Sequence, residues 1–223
     1  MNTLFREYYG KSIRIAPDGF SLFKREGDRL TAKEYPHSSD ALLSVEAPLF
    51  FSGNDQVTVI SAHHIPMLVP DELYQPEKEK EYLNLQFDTS RLGQTFSDKM
   101  GHYQAVYFMT QNDKDTLSRL PFSRTTVAEP TLFYRFLCEQ DSETALFVAL
   151  NDKFTDILAV NKKEPLFLNR FNLVEPADTL YFICDVIKQF NLHQPDVYLH
   201  FFTDENKKLL QLLKAYQMKT IIL

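Results

Sequence analysis

Three aspartates in the second half of the chain, Asp152, Asp156 and Asp204, come nearest to a catalytic set. Asp152 and Asp156 bracket the start of one strand pattern and Asp204 follows another, so a sheet would bring all three to one strand edge. Carboxylates gathered in that way can hold two metal ions for phosphodiester cleavage. The same residues have a plain structural use, as turn formers and as a helix N-cap. Histidine chemistry is weaker. His63 and His64 are adjacent, and on a strand edge they would face opposite sides and could not share a metal. His37, His102, His193 and His200 are scattered and lack the spaced partners of a zinc site, so no metal is expected. No G-x-S-x-G marks a serine nucleophile. Cys138 and Cys184 lie in apolar helical stretches and are expected to be buried free thiols in a reducing compartment.

Phosphate chemistry is limited by glycine. The chain has 223 residues and 6 glycines, and none follows Gly101. Average usage would supply roughly sixteen. Neither G-x-x-x-x-G-K-[ST] nor G-x-G-x-x-G occurs, so the turns that let bare backbone approach a phosphate are missing.

Composition narrows the partners. With 24 basic and 30 acidic residues the net charge is −6, which disfavours nucleic acid and anionic membrane. No apolar run reaches the length of a membrane span, and the N-terminus lacks the pattern of a signal peptide. Hydrophobic content of 44% with 19 Phe and 11 Tyr is ample for a core. A cytoplasmic protein is expected.

The elements that must position these residues can be read along the chain. Residues 12–35 read as a three-stranded meander turning at Pro17-Asp18-Gly19 and Glu26-Gly27-Asp28. A short helix over 38–47 follows. Strands are expected at Val57–Ser61, Ile65–Val69, 103–109 and Thr125–Ala128. Helices are expected at Glu72–Leu85, Asp113–Leu120 and Pro130–Glu139, with Glu77-Lys-Glu-Lys-Glu81 as a solvated face. Then come strands at 144–150, Phe154–Val160 and Leu166–Phe171, a helix at Ala177–Asn191, a strand at Asp196–Phe202, a helix at Asp204–Gln217 and a docked strand from Thr220 to Leu223. The two meanders correspond, with Asp18 and Phe20 matching Asp152 and Phe154. The pattern predicts two duplicated β-β-β-α-β-α-β lobes of α/β class with mixed sheets, over 1–140 and 141–223.

That architecture resembles the actin-like ATPase, ribonuclease H-like fold. Thr155-Asp156-Ile157 is similar to the end of the second phosphate loop in those proteins. Asn151, Asp152 and Lys153 then fall where its glycines stand, and Ala149 where its Asp stands. Val197-Tyr198-Leu199-His200 resembles the strand entering the adenosine loop, with Phe201, Phe202 and Thr203 in place of glycines. In the first meander Ala16 takes the position of the first phosphate-loop Asp, and Asp18-Gly19 is displaced from the usual spacing. The whole chain further resembles an uncharacterised bacterial family of actin-like fold, through Ile13-x-Ile15, Asp18-Gly19-Phe20, Val69-Pro70 before Leu73-Tyr74, Asn169-x-Phe171 and Asp178-x-x-Tyr181. By architecture it is distantly similar to the pilus-assembly and cell-division actin homologues.

The resemblance implies a degenerate nucleotide site at Asp18, Gly19, Asn151, Asp152, Thr155, Asp156, Phe201 and Phe202, with no catalytic residue, no cofactor and no metal. It implies a non-catalytic protein-interaction or scaffold module. Some of the aromatic residues would line the cleft between the lobes, and a homo-oligomer could form through an exposed strand edge. The alternatives are residual nucleotide binding of ATPase or kinase type, and a metal-dependent nuclease on Asp152, Asp156 and Asp204. Ala149 stands where such a nuclease carries a further Asp.

Overall fold

Residue types in the first meander already separate a buried face from an exposed one. In the computed structural model, which describes residues 9–17, 19–27, 29–36, 39–88, 90, 92–151, 153–175, 177–201 and 207–223, that meander is β1 (Lys11–Ala16), β2 (Gly19–Glu26) and β3 (Arg29–Pro36). Ile13, Ile15, Phe20 and Leu22 point to one core, where they meet Leu43 and Ala47 of α1 (Asp40–Phe50). α1 runs three residues beyond the expected end. β4 (Gln56–Ser61) then pairs parallel with β1.

An insertion follows. β5 (Met67–Pro70), α2 (Glu79–Asn84), β6 (Leu92–Met100) and β7 (Tyr103–Thr110) make a three-stranded antiparallel sheet, ordered β5-β7-β6, over Val69, Leu83, Val106 and Phe108. The expected helix over Glu72–Leu85 is shorter. Pro76 has no N–H and holds Gln75 extended, so only a 3-10 turn (Pro76–Lys78) and the six residues of α2 are helical. Its charged run is exposed except at Glu79, which is buried and accepts the Tyr74 hydroxyl at 2.6 Å. β6 has no counterpart in the sequence reading. Most of its residues are half-buried on both faces, so no alternation marks it.

The chain returns through α3 (Gln111–Ser118), β8 (Ser123–Ala128) and α4 (Glu129–Glu139). Arg14 on β1 is buried, and its guanidinium pairs with Glu129 at the start of α4. The Tyr9 hydroxyl donates to the same carboxylate at 2.8 Å. A charge this deep is tolerated because it is paired and hydrogen-bonded.

The second half is β9 (Thr144–Leu150), β10 (Phe154–Asn161), β11 (Glu164–Asn172), α5 (Ala177–Gln189), β12 (Asp196–Phe201), α6 (Lys207–Ala215) and β13 (Thr220–Ile222). Leu146, Val148 and Ile157 meet Ile183 and Val186 of α5 and Leu209 and Leu213 of α6. β13 docks parallel against β12 as its apolar sequence predicts. Cys184 and Cys138 are half-buried rather than buried, and Cys184 packs at the margin of the helix-covered core.

The chain divides into two compact units, Met1–Leu132 and Phe133–Leu223. Their five-stranded sheets have one strand order, β3-β2-β1-β4-β8 in the first and β11-β10-β9-β12-β13 in the second. In each, the first three strands are antiparallel and the last two join in parallel. This is the duplicated mixed-sheet architecture expected from the two meanders, with the three-stranded insertion added to the first copy.

Candidate functional site

In an α/β sheet, ligands are held outside the carboxyl ends of parallel strands, where loops and helix N-termini converge. In the first unit this edge carries a cleft of about 470 Å³. Its walls are the end of β1 and its turn (Ile15, Ala16, Pro17), the start of β2 (Gly19, Phe20), the first turns of α1 (Asp40, Leu43) and of α3 (Asn112, Asp113), Thr110, and His63. Ala16 pairs with Gly19, so β1 and β2 are joined by two residues. Gly19 has φ of 136°, a conformation that favours glycine. Asp18 lies outside the described residues. Pro17 has no N–H, so this turn offers a phosphate one donor fewer than a glycine turn.

The polar groups of the cleft come from three separate segments. His63 follows β4 in a bend, not on a strand edge. It and His64 therefore do not face opposite ways, and their rings lie 6.0 Å apart at 33°. Asp113 is buried and closes a capping box, in which Thr110 Oγ1 and N donate to Oδ2 at 2.7 and 3.2 Å and Asp113 N donates to Thr110 Oγ1. His63 Nε2 stands 3.7 Å from the same Oδ2. Burial opposes ionisation of Asp113, but the imidazole and Thr110 outweigh it and hold its carboxyl below the usual range. Burial pushes the Asp40 carboxyl up, Asp113 adds to the rise, and His63 offsets part of it. The sequence reading missed this trio as a site. Only the Thr110-x-x-Asp113 spacing carried a local signal, and that signal is for a helix start.

In the second unit the matching turn joins β9 and β10. Asn151 N donates to the Phe154 carbonyl at 3.0 Å. Asp152 lies outside the described residues. Thr155 is buried and donates its hydroxyl to the Ala149 carbonyl at 3.1 Å. Asn151 is 6% exposed, and among the described residues neither its Oδ1 nor its Nδ2 has a hydrogen-bond partner.

Asp156 is 2% exposed and pairs side-on with Arg170, Nε to Oδ1 at 2.7 Å and Nη2 to Oδ2 at 2.8 Å. The guanidinium carbon stacks 3.9 Å over the Phe154 ring. Asp156 is therefore committed to a structural ion pair. Asp204, like Phe202 and Thr203, lies outside the described residues, so of the three carboxylates first considered only Asp156 is placed. Ala149 is fully buried between Asp156 on β10 and His200 on β12. Phe201 packs against the helix-covered core. Among the described residues no group of three or more His, Cys, Asp or Glu is placed to hold a metal ion, and no helix is long and apolar enough to cross a membrane.

Fold and cleft together define an α/β protein built on the actin-like ATPase scaffold. The chain belongs to the DUF3822 family, described as a protein of unknown function, whose family model matches residues 4–219. A search of curated proteins found no match. Among solved structures it is similar to a Bacteroides thetaiotaomicron protein with an actin-like ATPase fold and unknown function. That likeness has 17% identity and a TM-score of 0.73, and it covers 100% of this chain and 94% of the other. It is also similar to the PilM-PilN type IV pilus biogenesis complex, with 12% identity, a TM-score of 0.59 and coverage of 95% and 87%. A third likeness is to the ethanolamine utilization protein EutJ from Carboxydothermus hydrogenoformans, with 9% identity, a TM-score of 0.53 and coverage of 95% and 83%.

Proposed function

We propose that this chain is a cytoplasmic protein-binding scaffold that keeps the actin-like fold without turning over nucleotide. The observation that carries the reading is the position of Ala149. Nucleotide hydrolysis on this scaffold needs a carboxylate at that strand position. Here a methyl group is enclosed between the Asp156–Arg170 pair and His200. In the first unit Ala16, at the end of β1, stands where the resemblance puts the carboxylate of the first phosphate loop. Interaction with a protein is favoured by analogy, since one structural neighbour is solved as the PilM-PilN complex. The edge strands β3 and β11 leave backbone groups through which a second copy can pair.

Residual nucleotide binding is the second reading, and it is favoured by the orphaned Asn151 amide at the β9–β10 turn. Thermal unfolding of the full chain with ATP or ADP, each with Mg²⁺, separates the two. The scaffold reading expects an unchanged midpoint, and a rise of several degrees would overturn it.

A further inference from the structure

The first-unit cleft is a built cavity whose chemistry is one-sided. Its floor is apolar and aromatic, with Leu43 and Phe20, and the Phe20 ring is stacked on Tyr35 at 4.6 Å and 20°. Among the described residues no Lys or Arg lines it. Of the two carboxylates among its described lining residues, Asp113 is engaged by Thr110 and His63. Asp40 is half-buried, and among the described residues its carboxylate makes no hydrogen bond or ion pair. A phosphate entering here would meet two negative charges and a turn in which Pro17 offers no N–H.

We propose that this cleft receives an organic cation, the ammonium or guanidinium end of a lysine or arginine side chain on a protein partner. The charged end sits at Asp40 while the alkyl stem lies over Phe20 and Leu43. The aromatic face adds attraction for a cation, and a side-chain stem of this kind covers apolar surface readily. A cation at Asp40 would also relieve the repulsion between Asp40 and Asp113, which together with burial disfavours the Asp40 charge. This inference rests on the protein-binding reading and names the chemistry of the partner.

The test is ¹H–¹⁵N NMR of the full chain titrated with Nα-acetyl-lysine amide and Nα-acetyl-arginine amide. The neutral Nα-acetyl-norleucine amide and inorganic phosphate are titrated in parallel. The two cations are expected to shift Gly19, His63, Thr110 and Asn112 saturably, and norleucine and phosphate are not. Asp40→Asn should weaken the cations about two- to fivefold. Asp115→Asn, an exposed acid of α3 outside the cleft, should leave them unchanged.

Asp40→Asn should also raise the unfolding midpoint of the free chain slightly at pH 7. A carboxyl with a raised folded-state pKa weakens the fold as pH climbs past its ordinary value, so the gain should vanish near pH 3. A merely structural role for Asp40 would lower the midpoint instead. Equal shifts with norleucine, shifts at the cleft with phosphate, or cation binding indifferent to Asp40→Asn would each overturn the proposal. Failure of the cation titration with no nucleotide stabilisation removes this inference alone. Stabilisation by ATP removes the scaffold reading itself.

Discussion

Arg170 decides what Asp156 can do. A carboxylate 2% exposed and held through both oxygens by one guanidinium is engaged in an ion pair inside the fold. Removing the guanidinium strands a buried charge, and that loss exceeds what the pair contributes when intact. Arg170→Met is therefore expected to cost about 3–5 kcal/mol in urea unfolding. Adding Asp156→Asn should restore a large part of it, and a loss below about 1 kcal/mol for the single change would contradict the clamp.

Asp55 works differently. It accepts from Lys11 and, through Oδ2, from Ser52 N at 2.9 Å, and these hold its pKa down at about 2. The unfolded value is near ~3.9. Its stabilisation is thus complete above about pH 4 and lost as pH falls toward 2. Asp55→Asn should lower the midpoint at pH 7 and match the parent chain near pH 2, as calorimetry at the two pH values will show.

At the scale of elements, one β-bulge carries much of the second unit's chemistry. Asn161 pairs with Glu164 and Val160 with Pro165. The register then shifts between Ala159 and Val160, so that Asp156 faces Arg170. Continued without the bulge, Asp156 would face Asn169, and Arg170 would point to the other side of the sheet. The hairpin was legible in the sequence from its turn and its apolar runs. The bulge was not, because an extra residue leaves no mark in the apolar pattern.

The same holds for β6, whose strand pattern is masked by half-burial and whose register with β7 shifts between Leu92 and Gln94. A Cβ on Gly93 would stand 2.6 Å from the Thr110 carbonyl oxygen and 2.7 Å from Gln111 Cα and N, all backbone at the start of α3. Gly93→Ala is expected to destabilise by about 1–3 kcal/mol. Because Thr110 lines the first-unit cleft, it should also displace the Thr110 and Asn112 amide resonances. A stable variant with unshifted resonances would contradict this packing.

For the molecule as a whole, the nucleotide experiment has a definite scale. A ligand at a hundred times its Kd stabilises by about 2.7 kcal/mol, and each kcal/mol moves the midpoint of a chain this size by about 2–4 °C. Millimolar ATP is thus expected to leave the midpoint within about a degree, whereas a site with a Kd of about 10 μM would move it by roughly 5–10 °C.

What the sequence alone determined is the part of this protein governed by local periodicity. Two meanders with tight turns, the helices that follow them and the scarcity of glycine at the loops were all readable, because strand alternation, helix spacing and turn residues act within a few positions of one another. They were enough to define the actin-like scaffold and the altered loops Asn151–Lys153 and Ala16–Gly19. Tertiary structure alone decided which charges meet. Asp40, His63 and Asp113 belong to three segments brought to one strand edge by parallel pairing of β1 with β4 and by an inserted sheet. Asp156 and Arg170 are joined by a bulge. Electrostatic partnership depends on distances of a few ångströms across the fold, and a linear pattern does not carry those distances.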